Sequence, residues 1–330
     1  MTIQCDKVIG GFFPGLNSDI AAELGLLIAD VFNACDTNRL SLLPQAAPGS
    51  LLATLQANGQ ILGYLAANDA LFSDDKHLHI LTQQVCYGVL IRDFRGACVA
   101  VIRGTRGIVE WAIDAEVKLV NEPTAGAGCV EQGFWSVYNS MQFVRLDGTQ
   151  APDLLAAIKG EVGSKPLVVA GHSLGAAIAT YMTFELADPA CLGTGVSGCF
   201  LASPRPGDAD YGSAFQNRVG QYIVINNSQD TVPKLPPTNL GFQALANVLS
   251  LDTTNVDPGT VIRDDVLCHH HVVCYAAMLS GNVLGVYGTD AGVSPPPAWA
   301  GLLAANGDET DCIETPQQLA TASLAGLQGG

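Results

Sequence analysis

The chain has 330 residues, 48% of them hydrophobic and only 14% charged, which is enough to build one large buried core. Its 31 acidic against 15 basic residues give a net charge of −16, and a surface of that sign repels phosphate backbones and so speaks against nucleic acid as a partner. No apolar run reaches membrane-spanning length, and anionic headgroups would be repelled, so any contact with lipid has to be apolar.

Residues 1–14 show neither the basic start nor the apolar run of a secretory leader, so a mature secreted form and a cytoplasmic protein fit equally well. Over 16–35, Ile20, Leu24, Leu27, Ile28 and Val31 recur on one side of a helix, with Asn17, Ser18 and Asp19 as start signals. A second helix is expected over about 50–67. Strands are expected over 84–91 and 97–103, joined by a short polar connection as in a hairpin. Residues 131–145 and 151–162 read as helices. A strand at 166–170 and a helix at 175–187 follow, then strands at 198–202 and 221–226 with a helix at about 211–218 between them. Residues 235–265 are rich in Pro and Gly and read as loop. A last helix starts near His269, His270 and His271.

Strands that alternate with helices imply an α/β fold: a mostly parallel sheet with helices on both faces, preceded by an N-terminal helical extension. With no low-complexity linker and no internal repeat, we expect one domain over residues 1–293 and an irregular tail over 294–330. The chain has ten cysteines, none of them in a C-x-x-C motif. Cys98 and Cys199 sit inside apolar runs and read as small buried residues, while an even count leaves disulfides open and their pairing unspecified.

The richest signal is Gly171-His172-Ser173-Leu174-Gly175, a G-x-S-x-G pentapeptide between an apolar strand and a helix. A serine on so sharp a turn is lifted clear of its neighbours, and the two glycines remove side chains that would collide there. A serine hydroxyl is a poor nucleophile until a base takes its proton and a carboxylate holds that base. In this architecture the acid and then the base follow the serine in the chain. Asp230, just past an apolar strand, is the candidate acid. Asp208, Asp210, Asp252, Asp257, Asp264 and Asp265 are rivals with no strand placed so directly before them. The base is one of His269, His270 or His271, because His77 and His79 precede the elbow and His172 lies inside it, facing elsewhere. The Cys268 to Cys274 stretch is rich in metal-ligand types, but adjacent residues on a helix diverge by about 100°, so no metal site is assigned. Leu174 offers the backbone N–H that follows the nucleophile, and Thr105, at the end of an apolar strand, is the second candidate donor to an oxyanion.

Together these segments resemble the class 3 lipases, the fungal-type lipases of the α/β-hydrolase superfamily. The resemblance rests on the strand and Arg103-Gly104-Thr105 turn, on Trp111 and Asp114 (a W-x-x-D element), on Gly133-Phe134, on the elbow, on Ser203-Pro204-Arg205-Pro206-Gly207-Asp208, and on Asp230-Thr231-Val232-Pro233 with Leu235-Pro236. It covers about residues 60–280. It implies the α/β-hydrolase fold and a serine carboxylester hydrolase without a cofactor, a triacylglycerol lipase before an esterase or phospholipase A1, with an ester or lipid substrate. It also implies Thr105 as an oxyanion residue and Asp230 as the triad acid. The family's histidine stands five residues before an aromatic, and counting back from Tyr275 gives His270, with His269 second and His271 third. A lid is implied over residues 106–117, in which Ile108, Val109, Trp111 and Ile113 would touch acyl chains. A different class of reading is a hydrolase-like fold that binds partners without catalysis.

Overall fold

A computed structural model describes residues 2–38, 41–72, 78–93, 96–105, 117–124, 126–252, 261–262, 266–280 and 312–314. The chain opens with two helices, α1 (Thr2–Phe12) and α2 (Ser18–Thr37). α2 starts where expected, because the Asn17 side chain accepts the Ile20 amide at 2.8 Å and satisfies a donor that the first helical turn leaves open. α1 falls on residues for which no helix was expected.

The helix expected over 50–67 is two elements. α3 (Leu51–Ala57) stops at Asn58 and Gly59, where the glycine takes a φ of +66°. β1 (Ile61–Phe72) then runs with period 2: Tyr64 and Ala66 pack into one core, Leu65 and Ala67 into the other. β2 (Leu78–Arg92) and β3 (Cys98–Ile102) form the expected antiparallel pair, Gly88 lying opposite Ile102. A small ribbon of β4 (Leu119–Asn121) and β5 (Cys129–Glu131) leads into α4 (Gln132–Asn139). The helix expected over 131–145 ends there, and β6 (Gln142–Val144) pairs with β1 at the edge of the sheet.

The second half alternates as expected: α5 (Leu154–Val162), β7 (Leu167–His172), α6 (Leu174–Leu186), β8 (Val196–Leu201), α7 (Ala209–Arg218) and β9 (Tyr222–Asn227). Residues 235–265 are not all loop, because β10 (Val248–Leu251) adds a parallel edge strand to β9. β11 (Val261–Ile262), α8 (Val266–His270), α9 (Val272–Ser280) and β12 (Ile313–Glu314) complete the described elements.

The main sheet has eight strands in the order β10-β9-β8-β7-β3-β2-β1-β6. From β10 to β3 every pairing is parallel, whereas β2 is antiparallel to both of its neighbours. Each side of the sheet carries its own core. One holds α1, α2, α3 and α9 against alternate residues such as Val99, Val101 and Ile223. The other holds α4, α5, α6 and α7 against Ala100, Ile102 and Val169. This is the mostly parallel sheet covered on both faces. Its carboxyl edge, where β3, β7, β8 and β9 end together, is where ligands collect in such sheets.

Two disulfides tie the layers: Cys35–Cys86 joins α2 to β2, and Cys268–Cys312 joins α8 to the segment before β12. β12 also pairs with β11, so the tail expected to be irregular is fastened to the domain at these residues. Cys98 and Cys199 are buried and unpaired.

Asp30 on α2 is 4% exposed, and its Oδ2 accepts the Leu52 amide at 3.0 Å. Burial pushes its carboxyl up to about 7. Since an unfolded aspartate ionises near ~3.9, the two states bind protons equally below that pH, and the native state keeps its proton longer above it. Asp30 therefore costs stability progressively as pH rises from about 4 to about 7, by a few kcal/mol in all. Asp30→Asn keeps an acceptor for Leu52 and removes the ionisation. We expect its melting temperature to fall less than wild type between pH 5 and pH 8, and parallel pH profiles would contradict this account.

Candidate active site

Ser173 is the junction between β7 and α6. It holds φ 60° and ψ −130°, a left-handed conformation that a non-glycine residue adopts only under strain. Two approaches enforce it. A Cβ on Gly171 would lie 2.3 Å from the carbonyl oxygen of Gly175, and one on Gly175 would lie 2.4 Å from those of Ile102 and Arg103. The elbow is thus folded on itself and pressed onto the end of β3. The Ser173 amide donates to the Leu201 carbonyl at 3.0 Å, which fixes the turn to β8.

Ser173 is 1% exposed, and its hydroxyl lies 2.8 Å from His270 Nε2. His270 Nδ1 lies 2.8 Å from Asp230 Oδ2. Asp230 is fully buried, and each of its oxygens is used. Oδ1 accepts the Val232 amide at 2.9 Å, and Oδ2 accepts the Tyr275 hydroxyl at 2.7 Å as well as the His270 ring. The Tyr275 hydroxyl in turn accepts the Asn227 amide at 2.8 Å. Burial, and next the Asp230 charge, hold Tyr275 well above the usual phenol range, so it stays a donor to that carboxylate. Serine, imidazole and carboxylate therefore form one continuous hydrogen-bonded chain, drawn from β7, α8 and the turn after β9.

Each histidine of the triple has a separate task. His270 presents its ring to Ser173 and Asp230. His271 lies between two helices, where its Nδ1 accepts the Val273 amide at 3.3 Å and starts α9. The His269 carbonyl accepts the Asn227 side-chain amide at 3.0 Å. Among the described residues no group of three His, Cys, Asp or Glu side chains is arranged to hold a metal.

Leu174 opens α6, and its N–H belongs to the first helical turn, where backbone donors are left free for an anion. Thr105 is half-buried just beyond β3. Its neighbour Gly104 lies so close to the elbow that an added Cβ would sit 3.1 Å from the Ser173 Cβ. Ile108, Val109, Trp111 and Ile113 lie outside the described residues.

Residues 99–240 match the sequence profile described as lipase (class 3). The chain is similar to the class 3 lipases over this stretch, which is less than half of its length. The chain is 35% identical over 153 residues to the secreted mono- and diacylglycerol lipase A of Penicillium cyclopium, a stretch that covers 44% of the chain and 45% of that protein. It is 30% identical over 202 residues to phospholipase A1-II 1 of Oryza sativa subsp. indica, covering 56% and 50% respectively. The chain spans about half the length of the curated relatives it matches. Similar solved structures include a mutant of MDLA from Penicillium cyclopium, with 22% identity and a TM-score of 0.51 over 74% of this chain and 82% of that one. A fungal lipase characterised for its buried polar cluster gives 20% identity and a TM-score of 0.55 over 80% and 97%. Both have the α/β-hydrolase fold seen here.

Three polar residues of this site were not singled out as site residues from the sequence. His172 does not face away from the site. It is 8% exposed, stacks on the His270 ring at 4.7 Å and binds the His270 carbonyl. Asn227 and Tyr275 brace α8 and Asp230. Tyr275 had served only as a spacing marker, although an aromatic hydroxyl five residues beyond the base was a usable signal for a partner to the acid.

Proposed function

We propose that this chain is a serine carboxylester hydrolase that cleaves lipid esters, acylglycerols first among them. The observation that carries this reading is the unbroken chain Ser173 Oγ, His270 Nε2, His270 Nδ1, Asp230 Oδ2, with both links at 2.8 Å. His270 takes the Ser173 proton as Oγ attacks the ester carbonyl, and Asp230 stabilises the imidazolium that forms. The oxyanion meets the N–H groups of Leu174 and Thr105. His270 then protonates the departing alcohol, and a water activated by the same ring frees the acyl group from Ser173. The reaction needs no cofactor. The match of residues 99–240 to the lipase (class 3) profile supports a lipid ester as substrate, and the net charge of −16 favours a neutral acylglycerol over an anionic phospholipid. In this reading residues 1–293 form one catalytic domain, and Ile108, Val109, Trp111 and Ile113 contribute acyl contacts from a lid.

The test is a p-nitrophenyl ester series from acetate to palmitate, run beside emulsified diacylglycerol, triacylglycerol and phosphatidylcholine. We expect long-chain acylglycerols in emulsion to be cleaved well. Activity confined to dissolved short esters makes the protein an esterase, and a preference for phosphatidylcholine makes it a phospholipase A1. Absence of fluorophosphonate labelling at Ser173 overturns the enzymatic reading in favour of a silent binding protein.

A further inference from the structure

α8 and α9 are not one helix. In an unbroken helix the amides of Val273 and Cys274 would close onto the carbonyls of His269 and His270. Here the Val273 amide turns to His271 Nδ1 at 3.3 Å, and the Cys274 amide to the His271 carbonyl at 3.0 Å. The break leaves the last two carbonyls of α8 to be satisfied from outside. They belong to the residue that carries the base and to the one before it. Buried carbonyls left open are costly, so whatever satisfies them also fixes where α8 ends.

Two side chains do so, each from the end of a neighbouring strand. Asn227, at the end of β9, donates to the His269 carbonyl at 3.0 Å. His172, at the end of β7, lies with Nε2 2.7 Å from the His270 carbonyl. A carbonyl only accepts, so His172 Nε2 carries the hydrogen. The His172 ring also lies against the His270 ring, with centroids 4.7 Å apart and planes tilted by 37°, and edge-on to Tyr275 at 5.9 Å. His172 is the residue immediately before the nucleophile.

We propose that His172 is a positioning residue for the base: its Nε2–H bond to the His270 carbonyl caps the broken end of α8 and sets the distance between His270 Nε2 and Ser173 Oγ. The inference rests on the ester-hydrolase reading above. The mechanical logic is direct. Ser173 and His172 are consecutive on one rigid turn. One holds the backbone of His270 and the other meets its ring, so nucleophile and base share a single reference frame. The ring contact restricts rotation of the imidazole about the same bond. Burial, and next the charge on His270, hold the His172 imidazole well below the usual histidine range, so it acts as a neutral donor and adds no positive charge beside the imidazolium formed in the reaction. Displacements of about 1 Å in such a constellation cost up to ~100-fold in rate without any change in the reacting groups.

The test compares His172→Gln with His172→Met in the whole chain. The two replacements are of similar length and both lack the ring, but only the amide keeps a donor near the former Nε2. On a dissolved short-chain ester we expect His172→Met to lower kcat by roughly 30- to 100-fold with KM within about twofold, and His172→Gln to recover most of that loss. The rate of fluorophosphonate labelling at Ser173 should follow kcat, while the melting temperatures of the two variants stay close to each other. His172→Phe, which keeps a stacked ring without a donor, replaces the methionine variant if that one does not fold and is expected to behave like it. Equal kcat for folded Gln, Met and Phe variants and wild type overturns the positioning role. So does a loss in KM alone, or one that tracks thermal stability alone. If wild type itself neither turns over esters nor labels at Ser173, it is the hydrolase reading that fails.

Discussion

Ser173→Ala is expected to give a folded protein with no measurable ester hydrolysis. The serine sits at φ 60° because Gly171 and Gly175 leave the turn no other path, and alanine carries the same Cβ into the same backbone. The substitution therefore neither adds nor relieves strain. What it removes is one hydroxyl, 1% exposed, whose hydrogen bond is to His270 at 2.8 Å. A melting temperature within a few degrees of wild type should accompany a fall in kcat of up to ~10⁶-fold, because the triad acts as a unit. Ser173→Gly should be equally inactive and at least as stable as the alanine variant. Removing the Cβ from a left-handed residue releases strain of order 1–3 kcal/mol, partly offset by the greater chain entropy of glycine. Kinetics on a dissolved ester, with thermal unfolding on the same samples, decides the matter. Residual turnover above roughly a hundredth of wild type in folded Ser173→Ala would mean that another group is the nucleophile.

The second large effect is expected at Asp230. Both of its oxygens accept hydrogen bonds: Oδ1 from the Val232 amide, and Oδ2 from the His270 ring and the Tyr275 hydroxyl. In Asp230→Asn one oxygen becomes an amide NH₂, and the new donor faces either Val232 or the His270 and Tyr275 pair. Facing His270, it demands an acceptor at Nδ1 and moves the ring hydrogen to Nε2, where it blocks proton transfer from Ser173. Facing Val232, it sets two donors against each other in a fully buried site, at a cost of about 1–3 kcal/mol. We expect kcat to fall by ~10⁴-fold, the loss typical of a wrong tautomer in a serine triad, together with a lower melting temperature. A kcat within tenfold of wild type would show that this carboxylate does not orient the base.

What the sequence disclosed, and what it hid, follows from how local each feature is. The elbow was legible because two glycines, a serine and their flanking strand and helix lie within about twenty residues. The parallel half was legible because its helices and strands alternate along the chain. β1 was not legible. Ile61 to Ala67 is apolar throughout, since both faces of this part of the strand are covered by helices, and that erases the alternation by which a half-exposed strand is recognised. β6 is three residues long and offers no periodic signal. β10 does alternate, with Leu249 and Leu251 buried and Val248 and Ser250 exposed, but its four residues stand among prolines and glycines that read as loop. At the site, the acid could be ranked by its place after a strand, whereas the choice among three adjacent histidines needed the family's spacing to Tyr275. The contribution of His172 lay beyond reach of any local pattern, because it depends on a helix break 98 residues away.

The Cys268–Cys312 bond has an effect out of proportion to its place near the far end of the sequence. Cys268 is two positions before His270, so the imidazole rides on a short helix riveted to the last residues described. Trimming the protein upstream of position 312, a common step when a C-terminal stretch looks dispensable, would cut the mooring of the base itself. Thiol reductants in a purification buffer would act at the same spot.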